Sequence, residues 1–459
     1  MSNTSKVILF SVNLIFLVFC YAQIPDTLWT RTYGGVGDER SWGRAAQQTT
    51  DGGYVIFGQS NSFSGGDYDF YMVKTNPFGD TLWTKVYGGI GDEFCYAGQQ
   101  TSDGGYILAG MTNAFGADNF DIYLVKTDSL GDIMWTKMIG DSVGIESASG
   151  IEQTSDGGYI LAGMTNAFGA DSFDIYLVKT DSLGDTMWTK TFGGIDNDQA
   201  YEVSTTSDGG YIIAAWTRSF GAGNYDAYII KTDSLGDTLW TFVYGGPLMD
   251  KACDVIETSD HYYLVVGWTY SYGAGCDDIL ILKLNTNGDT LWTKLYGGPS
   301  YDIAYSIQET IDCNYIIAGG LSLLPSNLDL CLWKINTDGD SLWVLTCGGS
   351  HDDIGFTVKH TSDQGYMVAG FTNSFGSGNY DFYLMKTGPE QSIDDAAIKS
   401  VQQINIAATI ISGAIILPRD KKCRIFDITG RTIRPLNISP GIYFLEMDGK
   451  IAKKIIKVR

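Results

Sequence analysis

Residues 146–194, ESASGIEQTSDGGYILAGMTNAFGADSFDIYLVKTDSLGDTMWTKTFGG, contain the pattern that decides the fold. Short strand-like segments alternate with turn sequences, and the turns TSDGG and DSLGD are rich in the residues that tight turns favour. The second segment, YILAGMT, is apolar along nearly its whole length, as expected for a strand buried on both faces. Because helical periodicity is absent, this unit predicts four strands at residues 146–153, 159–165, 174–180 and 186–192.

The unit recurs seven times with a period of about fifty-two residues. One tryptophan marks the fourth strand of each copy: Trp29, Trp83, Trp135, Trp188, Trp240, Trp292 and Trp343. Each third strand carries an aspartate and, five residues later, a lysine: Asp69/Lys74, Asp121/Lys126, Asp174/Lys179, Asp226/Lys231, Asp278/Lys283, Asp329/Lys334 and Asp381/Lys386. Four-stranded units at this period are typical of β-propeller blades.

The ends of the repeat array predict a closed ring. The array begins at Asp26 with a fourth strand and finishes at Thr387 with a third strand. The N-terminal strand can therefore complete the last blade, which removes two free sheet edges. We expect an all-β protein, with a seven-bladed β-propeller over residues 23–388 and a small β-sandwich over residues 389–459.

The aspartate and lysine of each third strand are expected to lie on opposite faces, because five residues separate them in a strand of period two. An ion pair within the strand is therefore disfavoured. We expect these side chains to hold turns or to bridge neighbouring strands.

The N-terminus and the composition indicate an exported protein. Residues 1–22 combine Lys6, an apolar run from Val7 to Phe19 and a small residue at Ala22, as in a cleaved signal peptide. The net charge of −23 disfavours nucleic acid as a partner. The mature chain is expected to contain no transmembrane segment, and it is expected to be secreted or held at the outer cell surface after passing through the periplasm.

The repeat of this chain resembles the repeats of two known families. The succession of a small-residue strand, a Tyr-x-x-x-Gly strand, an Asp-Tyr strand and a Trp strand resembles Kelch-type propellers. The hairpin KTDSLGDIMW at 126–135 resembles the tryptophan-docking repeat of quinoprotein propellers, with one residue of difference in the Asp-to-Trp spacing. The eight blades and vicinal cysteine pair usual in quinoproteins are not found in this sequence. These resemblances imply a fold rather than an activity.

The tail resembles a different family. Residues 423–459, CRIFDITGRTIRPLNISPGIYFLEMDGKIAKKIIKVR, are similar to the C-terminal sorting domain of type IX secretion cargo in Bacteroidetes-like bacteria. The resemblance rests on Ile425-Phe426-Asp427 with Gly430-Arg431, on Pro440 to Tyr443, and on the basic closing strand, although the Asn-Pro motif common at the start of that domain is missing. It implies an immunoglobulin-like β-sandwich that is read by the outer-membrane export machinery.

Ligand-binding candidates lie on the propeller face that carries the longer loops, where binding sites commonly occur. One set is acidic: Glu93, Glu146, Asp198, Asp250, Asp302 and Asp353, each ten residues before a turn aspartate, with Ser41 in the first blade. The other set is aromatic and includes Phe115, Phe168 and Phe220. The acids could hold Ca²⁺, which prefers oxygen ligands, and the aromatics could stack on sugar rings. Architectural roles are the alternative for both sets, because they recur in nearly every blade.

Two functional hypotheses follow. The first is a binding or scaffold module for a glycan or a protein, which the near-identical second and third repeats favour, since catalysis usually needs residues unique to few blades. The second is a polysaccharide hydrolase or lyase that uses channel carboxylates. Only three histidines occur, and no nucleophile-elbow, phosphate-cradling or dinucleotide motif is present. No organic cofactor is expected.

Overall fold

The computed structural model describes residues 24–63, 67–114, 119–141, 144–168, 172–324 and 327–390, together with five strands between residues 408 and 457. The chain divides into two compact units, residues 1–392 and 393–459. All regular secondary structure in the described part is β-strand. A search of these residues for a helix long and apolar enough to cross a membrane finds none.

Seven antiparallel sheets form the first unit. We number them as blades 1 to 7, with strands in chain order from the innermost to the outermost. Blade 1 contains β2 (Glu39–Arg40), β3 (Ala46–Gln48), β4 (Tyr54–Ser60), β5 (Asp69–Thr75) and β6 (Thr81–Tyr87). Blade 2 contains β7 (Glu93–Gln100), β8 (Tyr106–Thr112), β9 (Asp121–Thr127) and β10 (Ile133–Ile139). Blade 3 contains β11 (Glu146–Gln153), β12 (Tyr159–Thr165), β13 (Asp174–Thr180) and β14 (Thr186–Phe192).

The remaining blades repeat this arrangement. Blade 4 contains β15 (Asp198–Thr205), β16 (Tyr211–Thr217), β17 (Asp226–Thr232) and β18 (Thr238–Tyr244). Blade 5 contains β19 (Asp250–Glu257), β20 (Tyr263–Thr269), β21 (Asp278–Leu284) and β22 (Thr290–Tyr296). Blade 6 contains β23 (Asp302–Glu309), β24 (Tyr315–Leu324), β25 (Asn327–Ile335) and β26 (Ser341–Cys347), and blade 7 contains β27 (Asp353–His360), β28 (Tyr366–Thr372), β29 (Asp381–Thr387) and β1 (Thr27–Tyr33).

The hydrophobic core lies between adjacent blades. The middle strands of each blade are almost entirely buried, whereas the outermost strands alternate between exposed and partly buried residues. One cluster joins Phe57 and Met72 of blade 1 to Cys95 and Leu108 of blade 2, and similar clusters recur around the ring. Middle strands covered on both faces must be apolar throughout, which explains sequences such as YILAGMT.

The N-terminal strand closes the ring as the sequence predicts. β1 pairs antiparallel with β29 of the last blade, from Thr27 opposite Thr387 to Tyr33 opposite Phe382. The Tyr33 hydroxyl then donates to the carbonyl of Gly79 in blade 1, at 2.7 Å. The pairing completes blade 7, and the hydrogen bond ties that blade to its neighbour. The seven-bladed all-β propeller is therefore confirmed.

The third-strand lysines hold turns, as their position on the strand predicts. Lys179 Nζ lies 2.8 Å from Asp156 Oδ2 in the Asp-Gly-Gly turn and also donates to the carbonyl of Thr180. Hydrogen bonds from Lys179 and Thr154 outweigh the effect of burial and lower the pKa of Asp156 to about 2. The same lysine–aspartate pair occurs in all seven blades, and the lysine side chains are at most 6% exposed.

The second unit contains a five-stranded sheet. Its strands are β30 (Ala408–Ile411), β31 (Cys423–Asp427), β32 (Thr432–Ile433), β33 (Gly441–Met447) and β34 (Lys450–Lys457), in the spatial order β30-β34-β33-β31-β32. β30 pairs parallel with β34, and the other pairings are antiparallel. The immunoglobulin-like sandwich expected for residues 389–459 lies largely outside the described residues, as does the signal peptide.

Replacing a buried turn lysine should destabilise the propeller more than replacing a lysine on its rim. Lys179→Met removes charge-assisted hydrogen bonds and leaves a buried carbonyl unsatisfied, so we expect a loss of about 2 kcal/mol in the free energy of unfolding. Lys190→Met is the matched control in the same blade, because Lys190 pairs with Asp237 at 2.7 Å with 35% of its side chain exposed. That exposed pair should contribute less than about 1 kcal/mol. Equal effects in denaturant titrations would contradict the structural role.

Candidate functional site

The six acids identified in the sequence are buried at the start of the innermost strands. Their exposed fraction is 5% for Asp302 and 0% for the others. Glu93 accepts hydrogen bonds from Thr112 Oγ1 at 2.7 Å and from the Gly89 N–H at 2.9 Å. Asp198, Asp250, Asp302 and Asp353 likewise accept from a glycine N–H four residues earlier in the chain. These contacts fasten the connection between successive blades, and the use of the same acids as ligands stays a prediction.

Each of these acids also faces the third-strand aspartate of the preceding blade. Gly88 lies between Asp69 and Glu93, and a Cβ at this position would collide with both carboxyl groups. Burial raises the pKa of Asp69 to about 7, and the hydrogen bond and charge of Glu93 add to the effect. Burial also raises the pKa of the equivalent Asp121, Asp226, Asp278, Asp329 and Asp381. Two adjacent carboxyl groups in a buried place favour sharing one proton.

In blade 1 the residue at this position is Glu39, and the expectation of Ser41 was wrong. Glu39 is fully buried and accepts hydrogen bonds from the Gly35 N–H at 2.8 Å and from Ser60 Oγ at 2.6 Å. The innermost strand of blade 1 is interrupted, because β2 ends at Arg40 and β3 begins at Ala46. Because of this interruption, Glu39 lies two residues further from its turn aspartate, Asp51, than the acids of the other blades lie from theirs. Counting ten residues back from Asp51 therefore selected Ser41 instead of Glu39.

The aromatic candidates lie at the loop between the second and third strands. Phe168 and Phe220 are 51% and 41% exposed, and each packs on a third-strand tyrosine of its own blade, Tyr176 and Tyr228. Phe115 lies outside the described residues. The structure therefore places Phe168 and Phe220 as separate exposed rings, one to a blade.

The side chains that converge on the propeller axis lie at β-bulges in the innermost strands. In blades 2 to 7 the pairing of the innermost strand shifts register at one residue, the third after the acid. A bulge redirects the side chain of the extra residue. The bulged residues are Tyr96, Ser149, Tyr201, Cys253, Tyr305 and Phe356, and Trp42 of the interrupted strand completes the ring.

These seven side chains surround a cavity of about 290 Å³ on the propeller axis, which we call the axial cavity. It is lined by Trp42, Gly43, Tyr96, Ser147, Ser149, Met164, Gln199, Tyr201, Cys253, Tyr305 and Phe356. The innermost strands run from the longer loops towards the Asp-Gly-Gly turns, and the lining residues lie near the starts of these strands. The axial cavity therefore belongs to the longer-loop face, and its volume approaches the range of ligand pockets, about 300–1,000 Å³.

The lining of the axial cavity is aromatic and uncharged. The Phe356 ring lies 5.2 Å from Trp42 and 4.3 Å from Tyr305, measured between ring centroids. Burial raises the pKa of Tyr96, Tyr201 and Tyr305 well above the usual value, so their hydroxyls stay protonated. None of the described lining residues is a carboxylate.

Cys253 is a poor nucleophile in this position. Burial raises the pKa of its thiol to about 12, whereas a reactive cysteine needs a stabilised thiolate. The six propeller cysteines, Cys95, Cys253, Cys276, Cys313, Cys331 and Cys347, are free thiols. No group of three or more potential metal ligands is found among the described residues.

Deeper in the channel, Arg44 crosses from blade 1 to the opposite blades. It donates to Asp254 Oδ1 at 2.7 Å and to Ser204 Oγ at 2.9 Å, and its Nε lies 3.5 Å from Glu202 Oε2. Burial and the neighbouring Asp254 raise the pKa of Glu202, and Arg44 acts in the opposite direction. Arg44 and Lys359 line a second, polar cavity of about 190 Å³ nearer the short turns. Charged groups thus occupy the channel below the aromatic lining.

Sequence reasoning missed both the bulged ring and Arg44. The ring occupies one fixed place in the repeat but varies from serine to tryptophan, so the repeat pattern does not reveal it. The signal for Arg44 was the segment Ser41-Trp42-Gly43-Arg44, which is the one part of the first innermost strand that no other repeat matches. Gly43 has a φ of 52°, a conformation that favours glycine.

The known proteins that resemble this chain in sequence or in structure are distant from it. No family model matches the sequence. The regulatory protein FlaEY of Caulobacter vibrioides is 24% identical over 252 residues, which make up 49% of this chain and 23% of that protein. The chain thus matches less than a quarter of that relative's length.

Among solved structures, the β-propeller domain of the Trilobed protease from Pyrococcus furiosus has a TM-score of 0.41 at 9% identity, covering 79% of this chain and 97% of that chain. Raptor from Chaetomium thermophilum has a TM-score of 0.49 at 12% identity, covering 80% of this chain and 30% of that chain. The Pyrococcus horikoshii acylaminoacyl peptidase has a TM-score of 0.41 at 11% identity, covering 91% of this chain and 58% of that chain. The fold assignment rests on the strand pairing described above.

The buried carboxyl pairs predict a stability that falls as pH rises through neutrality. Because the pKa of Asp69 is higher in the folded state, its contribution to stability is complete below the unfolded pKa of about 3.9 and is lost as pH rises through about 7. Each such group can change the free energy of unfolding by at most about 1.4 kcal/mol per pH unit. Asp69→Asn should weaken this dependence between pH 5 and 8, as measured by denaturant titration.

Asp51→Asn is the matched control for this measurement. Hydrogen bonds from Thr49 and Lys74 outweigh burial and lower the pKa of Asp51 to about 2, so its ionisation affects stability only below about pH 4. A slope between pH 5 and 8 that is as steep in Asp69→Asn as in the wild type would refute a role for this pair.

Proposed function

We propose that this chain is an exported or cell-surface binding protein, and that its β-propeller holds a carbohydrate ligand in the axial cavity. The observation that carries the proposal is the convergence of five aromatic residues, Trp42, Tyr96, Tyr201, Tyr305 and Phe356, on one cavity at the longer-loop face. Flat apolar rings complement the C–H faces of sugars, and protonated phenols can donate hydrogen bonds to sugar hydroxyls.

The polar part of the lining supports the same class of ligand. Ser147, Ser149 and Gln199 add donors and acceptors between the aromatic side chains. An apolar wall with a few polar groups is the usual composition of a small-ligand site. The volume suits the end of a glycan chain rather than a folded protein surface.

The uncharged lining favours binding over hydrolysis. Hydrolysis of a glycosidic bond generally requires two carboxyl groups beside the bond. Glu202 and Asp254 are channel carboxylates, but both contact Arg44 and neither lines the axial cavity. A polysaccharide hydrolase or lyase is therefore the less favoured function.

Tyr96 tests the site, because it lines the axial cavity and lies only partly buried in blade 2. Screening of the full mature chain on a glycan array should identify bound sugars, and these should be recovered unchanged after incubation. Tyr96→Ala should weaken binding by roughly 30-fold, the effect of losing about 2 kcal/mol at an aromatic binding residue. Calorimetric titration would measure the change.

Phe78→Ala is the control, since Phe78 is 69% exposed in a short turn on the other face. We expect unchanged affinity for this variant. An equal loss in both variants, or binding unaffected by Tyr96→Ala, would place the ligand outside the axial cavity, and release of shorter sugars would establish the enzymatic alternative.

The proposal includes export by the type IX route, which the resemblance of residues 423–459 to a sorting domain supports. Deletion of residues 393–459 should leave the protein in the periplasm of its own host, as measured by cell fractionation and immunoblotting. Deletion of residues 1–22 is the control and should leave the protein in the cytoplasm. Arrival of the shortened chain at the cell surface in undiminished amount would contradict the sorting role.

A further inference from the structure

Beside the axial cavity, four aromatic rings surround the ammonium group of Lys251. Nζ lies 5.1–5.5 Å from the ring centroids of Tyr201, Trp216, Tyr225 and Trp268, a group that we call the lysine cage. Tyr201 and Tyr225 come from blade 4, and Trp268 comes from blade 5, so the cage lies between the two blades. Aromatic faces attract a cation and allow it to remain charged while partly removed from water.

Lys251 is partly buried and differs from the seven turn lysines in its hydrogen-bond partners. The seven turn lysines each form a salt bridge with an aspartate, whereas Lys251 hydrogen-bonds Tyr201 Oη at 3.2 Å and forms no salt bridge with a described carboxylate. Burial lowers the pKa of Lys251, and Cys253 and Asp277 act in the opposite direction. The ammonium group has three N–H donors, so it can still bind an acceptor from a ligand.

Lys251 lies beside the axial cavity, because the Tyr201 hydroxyl that it hydrogen-bonds belongs to a residue of the cavity lining. Ser147 and Gln199 directly follow the acid of their innermost strands, and both line the cavity. Lys251 occupies the same position in blade 5, directly after Asp250. Tyr201 belongs both to the cavity lining and to the lysine cage.

A second cation lies next to the lysine cage. The guanidinium carbon of Arg218 is 5.3 Å from the Tyr225 ring centroid, and this exposed side chain also forms no salt bridge with a described carboxylate. Lys251 and Arg218 thus both contact the Tyr225 ring, and neither forms a salt bridge with a described carboxylate. In a protein of net charge −23, such a local arrangement is suited to recognising a negative group.

We infer that the axial cavity accepts a sugar that carries a carboxylate, a uronic acid at the end of a glycan, and that Lys251 binds this carboxylate. The inference rests on the proposed carbohydrate-binding function of the axial cavity. The lysine cage holds the ammonium group in place before the ligand arrives, which reduces the entropy lost on binding. Arg218 adds a second positive charge beside the lysine cage.

The test compares a uronic-acid oligosaccharide with its carboxyl-reduced, neutral counterpart in calorimetric titrations of the full mature chain. The wild type should bind the acidic form roughly 10- to 100-fold more tightly, the range expected for one charge-assisted hydrogen bond. Lys251→Met fills the lysine cage with an apolar side chain and should abolish this preference, because the affinity for the acidic form should fall much further than the affinity for the neutral form. Lys85→Met removes the same charge from the propeller rim, where Lys85 pairs with Asp132, and should preserve the preference.

A salt titration of the wild type keeps the inference testable if Lys251→Met does not fold. The preference for the acidic form should decrease as ionic strength rises. Equal affinity for the two forms, or a preference that survives in Lys251→Met, would overturn the inference and leave the proposed function standing. Failure of both forms and of all other sugars to bind would overturn the proposed function as well.

Discussion

The pairing of β1 with β29 is the constraint on which the rest of the propeller depends. A blade buries its apolar middle strands only against another blade, so an open array of seven would leave two apolar faces uncovered. The N-terminal strand completes blade 7, and the Tyr33 hydroxyl joins that blade to the turn at Gly79. Closure brings seven innermost strands around one axis, and the axial cavity exists only because these strands converge there.

Two repeated polar arrangements stabilise this ring in different ways. The turn lysines neutralise the aspartates of the Asp-Gly-Gly turns on the short-turn face, where the aspartates remain partly exposed to water. On the longer-loop face, buried acids such as Glu93 hold the Gly-Gly connections and approach a second carboxyl group. The first arrangement favours ionised carboxylates and the second favours a shared proton, so the two respond to pH in opposite directions.

The candidate site arises where the repeat varies. A β-bulge at one fixed place directs a different side chain towards the axis in each blade, and the interrupted strand of blade 1 adds Trp42 and Arg44. The backbone can therefore stay constant while the chemistry of the axial cavity is set by seven largely independent residues. The position directly after the acid varies in the same way, with Lys251 in blade 5 and the neutral residues Ser147 and Gln199 in blades 3 and 4.

The sequence by itself determined the blades, their number and their closure, because strand alternation, turn glycines and the fourth-strand start at Asp26 are local or periodic signals. It also placed the third-strand lysines on the opposite face from their aspartates and so predicted that they hold turns. It did not identify the lining of the axial cavity, since a bulge arises from strand pairing and leaves no mark in a single repeat. Only the tertiary structure decided which side chains meet on the axis, because the contacts of Arg44 with Asp254 and of Lys251 with four aromatic rings join residues from different blades.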